Sequence, residues 1–126
     1  MAERPQQPEL TFGRIACTIP VSDLPRSLAF YLEVLGMEAT FTNGDPMAFA
    51  IVEREGAELH LAAAPGHRGG GNNVAHLMVS NARLLHDHLV ANGVHILRGL
   101  RDADYGLRGF VFEDPDGNRI DVGEEL

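Results

Sequence analysis

Apolar positions along the chain fall into short β-like runs, interrupted by two stretches with helical spacing. In the first, Leu24, Leu28, Tyr31, Leu32 and Leu35 share one face of a helix over about 24–35, and Gly36 supplies the stop. In the second, Leu85 and Leu89 point inward from a helix over about 82–92, with Gly93 as the stop. Val21-Ser22-Asp23 precedes the first and Val79-Ser80-Asn81 the second. Each triplet ends an apolar segment (15–21 and 74–79) and offers side-chain oxygens that cap the first free N–H groups of a helix. Pro25 suits the first helical turn.

Three strand-like stretches follow each glycine stop. They are 37–42, 47–55 and 57–63 in the first half, with a tight turn near Gly56, and 94–98, 107–113 and 119–123 in the second. The chain thus reads as βαβββ twice: a module over 12–63, a Gly-rich linker over 64–73 and a module over 74–126, together one α+β domain. The linker lies in AAPGHRGGGNN and lacks the Lys-Ser/Thr ending of a phosphate-cradling loop, so it is expected to be a flexible tether. One module is too small to bury its own sheet. Two can form a curled mixed sheet around a concave cleft, closed with a partner chain, which predicts a homodimer and a strand-lined ligand site.

Composition narrows the function. The 126 residues carry a net charge of −8, and the ten basic residues form no stripe, which disfavours nucleic acid. A negative field favours cationic or metal-bound ligands. No apolar run is long enough to cross a membrane. The N-terminal MAERPQQPEL lacks an apolar leader core, and the single cysteine, Cys17, allows no intrachain disulfide; both fit a cytoplasmic location. Cys17 is expected to be a small buried filler. His86 and His88 are two apart on the second helix and so expected to be solvated; His67 and His95 receive no role.

VFEDPDGNRIDV, residues 111–122, places turn residues between two apolar runs and reads as a hairpin. Asp121 sits in its returning strand, as a metal ligand, a cleft-lining acid or a solvated residue.

VSDLPRSLAFYLEVLGMEA near the start and YGLRGFVFEDPDGNRIDVGEE at the end, with the internal repeat, resemble the vicinal oxygen chelate superfamily of glyoxalase I, bleomycin-resistance proteins and extradiol dioxygenases. The Tyr-Gly-Leu-Arg-Gly-Phe lead-in looks closest to the bleomycin-resistance branch, with Gly109 in place of a Glu. The resemblance implies a metal ligand in the first and last strand of each half of the metal-dependent members. Those positions here are Ala16, Glu58, Val74 and Asp121. Ala16 and Val74 cannot coordinate, so no metal is expected. If a divalent metal does bind, a slipped set of Glu58, His60, His76 and Asp121 would hold it. The expected function is metal-free binding of a small molecule, an antibiotic or another cationic or aromatic ligand. The alternative is a metal-dependent lyase, isomerase or dioxygenase. Candidate ligand-binding residues are Phe49, Glu58, His60, His76, Tyr105, Arg108, Phe110 and Asp121. Arg108, Phe110 and Phe112 share one strand face, which either lines the cleft or packs against the helices as core.

Overall fold

The computed structural model describes residues 9–103 and 105–126. Most of the polar N-terminal stretch lies outside them. The order is β1 (Cys17–Val21), α1 (Leu24–Ala29) running on into a π-helical turn (Phe30–Val34), β2 (Glu38–Asn43), β3 (Phe49–Arg54) and β4 (Ala57–Ala63), then β5 (Asn73–Met78), α2 (Ala82–Ala91), β6 (Ile96–Asp102), β7 (Leu107–Glu113) and β8 (Arg119–Glu125). This is βαβββ twice, in an α+β architecture.

The strands form two four-stranded mixed sheets that do not close, ordered β1-β4-β3-β2 and β5-β8-β7-β6. In each, the module's first and last strands pair in parallel and the other pairings are antiparallel. Strand alternation gives each sheet a helix-covered face and an open face. Ile19, Val21, Ala50, Val52 and Leu61 of the first sheet and Phe110, Phe112, Ile120 and Val122 of the second are buried, and they share one core with Leu24, Tyr31 and Leu89 of the helices.

The helix starts follow the sequence signals. The Asp23 side chain accepts from the Arg26 N–H at 3.1 Å, and the Asn81 side chain from the Leu84 N–H at 3.0 Å. The first helix departs from a regular α-helix after Ala29. In the widened turn the Leu35 N–H donates to the Phe30 carbonyl at 3.3 Å. Consecutive aromatic residues there both reach the other module: the Phe30 ring lies 6.4 Å from Phe112, and the Tyr31 hydroxyl donates to Asp114 Oδ2 at 2.8 Å.

The DPDGN turn closes a hairpin as expected, with the Asp114 N–H donating to the Asn118 carbonyl at 2.9 Å. It is also a clasp between modules. Asp114, Asp116 and Asn118 are 4%, 2% and 1% exposed. Asp116 Oδ1 accepts from the backbone N–H and the hydroxyl of Ser22 and from Arg26 Nη2, and Oδ2 accepts from the Ser27 hydroxyl at 2.8 Å. Asn118 Nδ2 donates to the Pro20 carbonyl at 2.9 Å. Buried polar groups are as a rule hydrogen-bonded, and here the first helix, the strand before it and Ser22 between them supply partners.

The Gly-rich linker is more than a tether. The Gly69 N–H donates to the Asp116 carbonyl at 2.8 Å. A Cβ on Gly69 would stand 1.8 Å from the Gly117 carbonyl oxygen. His67 Nε2 lies 3.0 Å from Asn118 Oδ1, and Arg119 donates to the Gly71 carbonyl at 2.8 Å. The linker therefore packs on the clasp.

Two further expectations are corrected. Cys17 is exposed, because it opens β1 beyond the part the helices cover. His86 and His88 are not simply solvated: the His86 ring lies edge-on to Phe110 at 5.3 Å, and His88 Nε2 donates to the Val34 carbonyl at 2.7 Å, tying α2 to the first module. The tight turn expected near Gly56 joins β3 to β4, with a positive φ of 46° at Glu55.

Candidate functional site

The open faces of the two sheets carry the polar groups that the core cannot hold. On the first sheet, strand pairing sets His60 beside Thr18 and Ile51, and Glu58 beside Glu53. Glu58 Oε2 lies 2.7 Å from His60 Nε2, and Oε1 accepts from Arg14 Nε. The His60 contact is the largest influence on Glu58; with the Arg14 hydrogen bond and charge it outweighs partial burial and holds the carboxyl below its ordinary pKa. The Phe49 ring meets His60 edge-on at 5.5 Å and Phe41 at 6.2 Å. This face is aromatic and acidic.

On the second sheet, His76, Asp121, Val111 and Arg98 lie side by side across β5, β8, β7 and β6. Asp121 Oδ2 lies 2.9 Å from His76 Nδ1, and Oδ1 accepts from Arg98 Nη2 at 3.4 Å. The far side of the imidazole faces Met78, with Nε2 3.0 Å from Sδ. Gly123 lies under the ring; a Cβ there would stand 3.2 Å from His76 Cε1. Arg101, Ala103, Tyr105, Leu107 and Gly109 complete a recess around these groups.

Of the sequence candidates, Glu58, His60 and Phe49 thus meet on one open face, and His76, Asp121 and Tyr105 line the other. Phe110 and Arg108 lie on the helix side. Phe110 is fully buried in the core, 6.2 Å from Phe112, because β7 turns its even-numbered side chains toward α1 and α2. Arg108 pairs with Asp102 through Nε at 2.7 Å and Nη2 at 3.3 Å. That hydrogen bond and the Asp102 charge raise the Arg108 pKa. Sequence reasoning did not pick out Arg14, Arg98, Arg101 or Gly123. Strand β6 runs to Asp102, beyond the 94–98 expected, and the alternation that aims Arg98 and Arg101 at the open face became visible only with β-bulges in the β6–β7 pairing.

The slipped metal set does not come together within one chain. Among the described residues no group of three His, Cys, Asp or Glu side chains could hold a metal ion. Glu58 is already engaged by Arg14 and His60, and Asp121 by His76 and Arg98. A guanidinium beside each carboxylate opposes a divalent cation electrostatically. The donor set on this chain does not fit the family's metal.

A family description, "Glyoxalase/Bleomycin resistance protein/Dioxygenase superfamily", matches residues 12–122, and the chain belongs to that superfamily. It is 34% identical over 116 residues to the lactoylglutathione lyase of Salmonella typhimurium, covering 82% of this chain and 86% of that protein. A superfamily member from Sphaerobacter thermophilus has a similar structure, with 30% identity and a TM-score of 0.78 over 92% of this chain and 100% of that one. The bleomycin-binding protein of Streptomyces verticillus, solved with copper(II)-bleomycin, shares the fold at 22% identity and a TM-score of 0.74, over 93% of this chain and 99% of that one. No helix among the described residues is long and apolar enough to cross a membrane.

Proposed function

We propose that this protein binds a small organic molecule on the open faces of its sheets without using a metal, in the manner of the bleomycin-resistance branch, as a homodimer in the cytoplasm. One observation carries the reading: both carboxylates at the family's metal positions, Glu58 and Asp121, are already bonded to an arginine and a histidine, while Ala16 and Val74 bring no donor. Phe41 and Phe49, stacked edge-on with His60 on this face, suit an aromatic part of a ligand, such as an antibiotic to be sequestered. A second chain laid over the open faces would shield Phe41 and Tyr105, which are 51% and 73% exposed.

The test is elemental mass spectrometry of purified protein after reloading with Zn, Ni, Mn and Fe(II), followed by a thermal-shift screen of planar aromatic cations. The expected result is no stoichiometric metal and at least one ligand that raises the melting temperature. At a hundredfold excess over Kd such a ligand stabilises by about 2.7 kcal/mol. A tightly held stoichiometric metal would overturn the reading in favour of the second one, a metal-dependent lyase, isomerase or dioxygenase. The similarity to a lactoylglutathione lyase is what favours that alternative.

A further inference from the structure

The whole chain is acidic, yet the recess on the second sheet is not. Arg98, Arg101 and His76 line it against one carboxylate, Asp121. Asp121 is divided between His76 and Arg98. Arg101 lies on the same face, one glycine pair further along: Gly109 pairs with Arg101 on one side and Gly123 on the other. The His76 ring and Met78 lie over Gly123, and the exposed Tyr105 belongs to the same recess. The Arg98 Nε is shielded from solvent and has no hydrogen-bond acceptor among the described residues. A guanidinium N–H buried without an acceptor is uncommon in folded proteins, and its planar fork matches a carboxylate in shape and charge.

From this juxtaposition we propose that the second-sheet recess binds the carboxylate of a ligand, with Arg98 and Arg101 as the anion contacts. The inference rests on the small-molecule-binding reading and sharpens it. The acidic, aromatic face of the first sheet and the basic recess of the second would then contact different parts of one ligand. Bulk charge alone pointed to a cation; the local charge at this recess points to an anion.

The experiment is a backbone amide NMR titration at neutral pH with three isosteric probes, benzoate, benzamide and benzamidine. Benzoate is expected to move the amides of Arg98, Gly109 and Gly123 and to bind about tenfold more tightly than benzamide, as a charge-assisted contact does. Arg101→Ala and Arg98→Ala should each remove most of that preference and leave benzamide binding as it was. Arg98→Lys, which keeps the charge and loses the fork, should restore only part of it. Arg101→Ala keeps the test valid if Arg98→Ala fails to fold. Equal binding of benzoate and benzamide, or a preference for benzamidine at these amides, would overturn this inference alone. Silence of both open faces toward all three probes would overturn the binding reading together with it.

Discussion

Asp114 and Asp116 in the clasp and Glu58 and Asp121 on the open faces are four acids of the same sheet-forming chain, held in opposite ways. The clasp acids are almost fully buried, and their oxygens take hydrogen bonds from Ser22, Ser27, Arg26, Tyr31 and Asn118. The open-face acids meet one arginine and one histidine each, and those partners, like Asp121 itself, are partly exposed. Low dielectric makes each clasp contact count for more and each missing partner cost more. The clasp acids are therefore bound into the fold, while the open-face acids can exchange partners with a ligand.

Asp116→Ala tests the first half of this contrast most severely. It strips the acceptor from Ser22, from Ser27 and from a half-exposed guanidinium, and should destabilise by about 1–3 kcal/mol for each buried donor left unpaired. Urea unfolding with an unchanged slope reads it. The same acid gives an acid limb. Burial pushes the Asp116 carboxyl up, but hydrogen bonds from Ser22 and Ser27 and the Arg26 charge outweigh it, so its pKa falls below 3.8 in the folded state. The unfolded chain then binds more protons, and the contribution is present above the ordinary carboxylate pKa and lost as pH falls through the folded one. Stability should drop below about pH 4, and less steeply in Asp116→Asn.

A smaller loss is expected where the linker leans on the clasp. Gly69→Ala forces a Cβ against the Gly117 carbonyl, which is backbone and cannot rotate away. Overpacking of this kind costs about 1–3 kcal/mol. A flexible tether would absorb the methyl without effect, so thermal unfolding of this variant decides between the two descriptions of the linker.

Tyr31→Phe removes one donor to Asp114 Oδ2 and leaves Asn118 Nδ2 on that oxygen, 3.0 Å away. About 1–2 kcal/mol of lost stability is expected by chemical denaturation. Burial, then the charge and hydrogen bond of Asp114, raise the Tyr31 pKa well above 10.0. Its contribution is complete below the unfolded value and lost as pH climbs toward the folded one. Wild-type stability should fall above about pH 10, and this limb should weaken in Tyr31→Phe.

The architecture was legible from the sequence because its signals are local. Two capping triplets, two glycine stops and strand alternation place α2, β7 and α1 taken with its π-helical turn within a residue or so of where they lie. What the sequence could not supply was which side of each strand faces the helices. Phe110 and Asp121 lie on adjacent strands of one sheet, and one is core while the other lines the recess. That assignment depends on how α2 packs, a long-range fact. The DPDGN turn shows the same limit. Its hairpin role is written in Pro115 and Gly117, but its partners Ser22, Ser27 and Tyr31 lie more than eighty residues away. Arg98 and Arg101 escaped because bulges in β6 break the simple period-two pattern.

Asp121→Asn should be nearly silent in stability and informative in binding. The ion pairs of Asp121 are partly exposed, and such pairs contribute about 0–1 kcal/mol; the expected change is within about 0.5 kcal/mol, read by the same denaturation curve. If Asp121 were bound into the fold as Asp116 is, the loss would be several times larger. In the recess the neutral amide no longer competes for the Arg98 guanidinium. Benzoate affinity should then rise by roughly two- to fivefold, matching up to about 1 kcal/mol of released pairing, while benzamide affinity stays level. A fall in benzoate affinity would mean that Asp121 holds Arg98 in its binding position instead of occupying it, and the open-face acid would have to be regarded as a positioning residue.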